Sequence, residues 1–83
     1  MDELYKVPLL LTPQPEGGYT VTSPLLPEMV TEGDNVEGAL ANVADALRAT
    51  IELYSDLGRA LPAGLRQVAA ADPIWFEYLV ATP

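Results

Sequence analysis

The chain has 83 residues, twelve acids against four bases, no cysteine and no histidine. That length supports one domain spanning residues 1–83, and the missing thiol and imidazole exclude disulfides, the usual zinc sites, a cysteine nucleophile and a histidine general base. A net charge of −8 sets the whole-molecule field against nucleic-acid phosphates, so direct DNA or RNA binding is not expected.

The first residues, Met1-Asp2-Glu3-Leu4, carry acids where a secretory signal carries Lys or Arg, and no apolar run approaches the roughly 20 residues of a spanning helix. A cytoplasmic protein without membrane contact is expected. Residues 4–12 are apolar and strand-like. Pro8 lacks a ladder donor, which assigns this segment to a sheet edge or puts Pro8 near the strand start. Pro13-Gln14-Pro15-Glu16-Gly17-Gly18 ends the strand. The two glycines accept positive φ, so the segment reads as a hairpin loop that returns the chain antiparallel into Tyr19-Thr20-Val21-Thr22. Tyr19 and Val21 then share one face, and Thr20 and Thr22 the other. Pro24 and Pro27 stop that strand and stiffen a corner through Leu25 and Leu26. Residues 29–31 are a short third strand, and Gly33 frees the turn that follows.

Asn35 is placed to cap a long helix, with Glu37 at the positive end of the helix dipole and Gly38 weakening the first turn. Val36, Leu40, Val43, Leu47, Ile51, Tyr54 and Leu57 recur at three- and four-residue steps and predict one apolar stripe. Asp45, Arg48, Glu52 and Asp56 populate the opposite side. Gly58 sits where a left-handed cap belongs, and Pro62 prevents continuation. Residues 61–71 can hold a short second helix before Asp72-Pro73. Residues 74–80 then read as a last strand from their aromatic and branched content. In that strand Trp75 and Leu79 flank Glu77 on one face. Either the sheet is an ordinary one covered by the long helix, or the Trp75, Glu77 and Leu79 side is buried by a second copy or another protein. Small size adds weight to self-association as a dimer or tetramer.

Chemistry is sparse. Glu28, Glu32, Asp34 and Glu37 are close in sequence, but the order of ligands around a central glycine that a calcium loop requires is missing, so they read as solvated loop and helix-start acids. Gly17-Gly18 is not followed by a helix start with Lys and Ser or Thr, so it is a turn and not a phosphate cradle. Ser23 and Ser55 have no histidine base. No enzyme activity, no cofactor and no bound metal are expected.

Taken in order, Gly17-Gly18-Tyr19, Ser23-Pro24-Leu25-Leu26-Pro27, Thr31-Glu32-Gly33-Asp34 and Ala39-Leu40-Ala41-Asn42-Val43-Ala44-Asp45-Ala46-Leu47 resemble the running pattern of the HicB family of antitoxins. The resemblance covers most of the chain. It implies a partial RNase H-like fold of the α+β class, with the order β-β-β-α-β and an antiparallel sheet packed by one long helix. It also implies neutralisation of HicA, a small basic ribonuclease toxin that cleaves mRNA, by direct binding. Leu25, Glu28 and Gly38 stand where the family carries an acid, a glycine and a glutamate. No basic segment matches the helix-turn-helix or ribbon-helix-helix that many members append, so operator binding is not carried over.

From the residues themselves, Glu16, Glu28, Glu32 and Asp34 are the acids expected to meet a basic partner, through charge complementarity that raises association rate and specificity. Gly17, Gly18, Pro24, Pro27 and Gly33 are expected to hold the framework. Two further readings stand beside the antitoxin: an orphan oligomeric scaffold or regulatory module that has lost its toxin, and a metal-dependent nuclease prompted by the RNase H-like architecture.

Overall fold

The computed structural model describes residues 4–67 and, beyond them, residues 73–75, 77 and 82. The elements in chain order are β1 (Leu4–Tyr5), β2 (Leu10–Pro13), β3 (Tyr19–Thr22), β4 (Val30–Gly33), α1 (Val36–Asp56), a 3-10 turn (Ala63–Leu65) and β5 (Arg66–Gln67). Strands β2, β3 and β4 form an antiparallel meander, and β1 pairs separately with β5, also antiparallel. This is an α+β arrangement in which one long helix packs on the three-stranded sheet.

The single first strand expected over residues 4–12 is two strands. Pro8 has no N–H to give a ladder, and the residues around it belong to neither sheet. Ahead of this break the chain pairs with residues beyond the helix, and the Lys6 N–H extends that pairing to the Leu65 carbonyl at 2.8 Å. After the break it enters the hairpin. The third strand lies slightly later than expected, at Val30–Gly33.

Register fixes the two faces of the meander. Leu11, Val21 and Thr31 lie opposite one another, as do Pro13, Tyr19 and Gly33. This is the helix face, and Val21 at its centre is fully buried. Gly33 brings the helix close. A Cβ on Gly33 would lie 2.6 Å from the Gly38 carbonyl carbon and would also strike the Ala39 backbone, so only glycine allows α1 to start this near β4. The Asn42 side-chain amide donates to the Glu32 carbonyl at 2.7 Å and adds a second tie between helix and strand.

The close approach also rotates the helix relative to the expected stripe. Ala39, Thr50 and Tyr54 are the buried positions, with Val43, Ala46, Leu47 and Ile51 half-buried, whereas Leu40 and Leu57 are exposed. Small side chains fill the narrow space over the sheet, and the larger Leu40 is displaced outward. The Thr50 hydroxyl is satisfied by donating to the Ala46 carbonyl at 2.9 Å.

Asn35 caps the helix as expected, its Oδ1 accepting from the Gly38 N–H at 2.7 Å. At the other end Gly58 adopts φ +66°, Arg59 N–H donates to the Tyr54 carbonyl and Gly58 N–H to the Ser55 carbonyl, which is the Schellman pair of bonds. The main core gathers at this end: Leu26, Met29, Tyr54 and Leu65 are buried together, with Tyr5, Val7, Leu9 and Leu61 packed around them.

The short helix expected in residues 61–71 is reduced to the 3-10 turn, because Leu65 is drawn into the core and the next two residues pair with β1. Residues 68–71 lie outside the described residues. Among the described residues, the strand that follows the helix is β5. Of the later segment expected as a strand, Ile74, Trp75 and Glu77 are exposed and in no ladder, while Phe76 and residues 78–80 lie outside the described residues. Among the described residues no helix is long and apolar enough to cross a membrane.

Candidate partner-binding surface

The hairpin loop is closed by bonds from Gln14 N–H to the Gly18 carbonyl and from Gly17 N–H to the Gln14 carbonyl, both 3.0 Å. Gly17 and Gly18 both take the positive φ that the turn requires, 100° and 81°. A Cβ on Gly18 would lie 2.8 Å from the Gly33 carbonyl oxygen and 3.5 Å from the Asp34 Cα. The loop therefore sits against the turn between β4 and α1.

This contact brings three of the sequence-selected acids to one end of the sheet. Glu16 is on the loop, Asp34 on the adjoining turn and Glu32 one strand position before Gly33, all of them exposed. Glu37 is exposed in the first turn of α1, which starts just after Asp34. The chain's four cations are elsewhere. Lys6 and Arg66 belong to the β1–β5 end, Arg48 pairs with Asp45 at 3.1 Å on the outer helix surface, and Arg59 lies past the helix C-terminus.

Glu28 is not part of this group. It follows Pro27 in the corner at the opposite end of β4, where the Tyr54 hydroxyl donates to its Oε1 at 2.7 Å and Arg59 Nη1 to its Oε2 at 3.2 Å. The Arg59 guanidinium also lies over the Tyr54 ring, 4.4 Å from its centroid, in cation–π range. The Tyr54 hydrogen bond, helped by a bond from the residue's own backbone and by Arg59, holds the Glu28 carboxyl below its ordinary value. The same bond, with burial and the carboxylate charge behind it, pushes the Tyr54 phenol up. Glu28 thus fastens the corner to the end of the helix, with a cation already beside its charge. Tyr54 and Arg59 were not singled out by sequence reasoning. Their only sequence signals are a polar tip on the apolar stripe and a cation just after a helix-ending glycine.

The framework residues fall where turns occur. Pro24 and Pro27 are exposed and flank Leu26, which is fully buried, and the Ser23 hydroxyl accepts from the Leu25 N–H at 3.3 Å to shape the corner. Trp75 is fully exposed and Glu77 is exposed, while Leu79 lies outside the described residues. Among the described residues no three acids converge as a metal site would require. The second face of the meander is open, with Leu10 60% and Val30 59% exposed on either side of Thr22. What these surfaces offer chemically is contact: charge at one end, and an apolar and hydroxyl face beside it.

No family model matches the chain. Among individual proteins it is similar to Antitoxin HicB of Escherichia coli (strain K12), at 37% identity over 57 residues, which is 69% of this chain and 41% of that protein. Antitoxin HicB of Escherichia coli O157:H7 matches with the same figures. Antitoxin HicB 1 of Photorhabdus laumondii subsp. laumondii is 40% identical over 57 residues, 69% of this chain and 37% of that protein. The chain spans about two-fifths of the length of these relatives. These matches, at 37–40% identity over 69% of the chain, support a HicB-family antitoxin.

Proposed function

We propose that the chain is an antitoxin module that neutralises a HicA-like, mRNA-cleaving toxin by stoichiometric protein binding in the cytoplasm, with no catalysis of its own. The observation that carries this reading is the 37–40% identity to proteins named Antitoxin HicB. Charge supports it: Glu16, Glu32 and Asp34 are exposed at one end of the meander and, among the described residues, take part in none of the ion pairs, which suits a basic surface that otherwise binds RNA phosphates. Glu28, already engaged by Tyr54 and Arg59, serves the corner instead of the partner.

The test is co-expression of this chain with whatever protein is encoded next to it. Growth arrest caused by that protein is relieved and the two co-elute on sizing. Persistent arrest without a complex would sink the reading. Self-association is also part of the proposal, because Ile74 and Trp75 expose large apolar side chains. A monomer mass that does not change with concentration would contradict it.

A further inference from the structure

We propose that the open face of the β2–β3–β4 meander, centred on the row Leu10, Thr22 and Val30 and bordered by Glu32, is the docking surface for a basic protein partner. The identity of that partner as the toxin rests on the antitoxin reading.

Helix α1 covers one face of the meander, and register dictates what the other presents. Leu10 lies opposite Thr22 and Thr22 opposite Val30; the next row is Thr12, Thr20 and Glu32. Isolated apolar side chains on a surface need no explanation. Here two occupy one row, each about three-fifths exposed, across strands spaced about 4.8 Å apart. Three threonines fill the remaining positions. Their hydroxyls add adaptable hydrogen-bonding groups and no formal charge, so this part of the face can be dehydrated without burying an ion.

Charge selects the occupant. None of β2, β3 and β4 carries Lys or Arg. The acid on this face is Glu32, and the loop and turn that place Glu16 and Asp34 adjoin the same end of the sheet. A second copy docked face to face would set Glu32 against another Glu32 and offer it no cation on its own meander. A protein with apolar side chains beside Lys and Arg satisfies both the row and its acidic border, giving a desolvated centre and a charged rim.

The experiment uses the full chain and a catalytically inactive HicA-like toxin as the basic protein, with affinity measured by calorimetry. Folding is checked by circular dichroism and self-association by sizing. Joint substitution Leu10→Asp with Val30→Asp is expected to weaken binding at least about 30-fold. Leu53→Asp, the same chemical change on the outer side of α1, stays within about threefold. Should the double variant fail to fold, Val30→Lys provides the reading alone, and it weakens binding more than Val30→Glu because the partner is cationic. Retained affinity in a folded face variant overturns the inference, as does an equal loss in Leu53→Asp. A shift in oligomer mass with affinity intact also overturns it and assigns the face to a second copy. A wild-type chain that binds no such protein removes the antitoxin reading and the inference together, whereas wild-type binding with an insensitive face removes the inference alone.

Discussion

Glu28, Tyr54 and Arg59 are distant in sequence, and each has an ordinary role when taken singly: a loop acid, a position on an amphipathic helix, a cation past a helix end. The fold joins them because Leu26 and Met29 enter the core beside Tyr54 and carry the corner with them. Glu28 has a lowered folded pKa, so its contribution to stability is complete above pH 4.5, the ordinary value, and is lost as pH falls through the folded value. Tyr54 has a raised folded pKa, so its contribution is complete below pH 10.0 and is lost as pH rises through the folded value. In thermal melts from about pH 6 down to about pH 3, wild type is expected to lose more stability than Glu28→Gln, and the two curves converge in acid. Parallel curves would show that the carboxylate is not held by this contact. The acids could be recognised in the sequence as charges, but not which of them would be engaged internally, because that depends on a contact between residues 28 and 54 that no local pattern encodes.

The elements were legible where a single backbone device decides them. Gly17 and Gly18 in the hairpin, Asn35 at the helix start, and Gly58 with Pro62 at its end each act within a few residues, and the structure has them as expected. Features that depend on distant partners were not legible. The break at Pro8 was visible as a missing donor, but the pairing of Leu4–Tyr5 with Arg66–Gln67 requires segments some 60 residues apart to meet. The rotation of α1 likewise follows from the contact of Gly33 with the Gly38–Ala39 backbone, and not from the helix's own periodicity. Replacing Gly33 by Ala is therefore expected to destabilise the fold by about 3 kcal/mol, lowering Tm by more than about 10 °C. Gly64→Ala, where a Cβ meets nothing within 4 Å, changes Tm little. Equal melting temperatures for the two variants would contradict the close approach.

At the scale of the whole molecule, charge and cover are unevenly distributed. One face of the meander is packed and the other open; one end is acidic, while the opposite end has Glu28 paired with Arg59. Net charge could be read from composition, but its placement could not, since it is the hairpin register that sets the Glu16 loop beside Asp34. Binding to a basic partner by this surface is expected to weaken as ionic strength rises, chiefly through a slower association rate. Stopped-flow rates that are flat with salt would place the contact elsewhere. The most direct measurement is a titration of purified toxin with this chain while RNA cleavage is followed. Stoichiometric neutralisation predicts that cleavage falls linearly and stops at a fixed molar ratio, and cleavage that continues undiminished in excess chain would contradict the account.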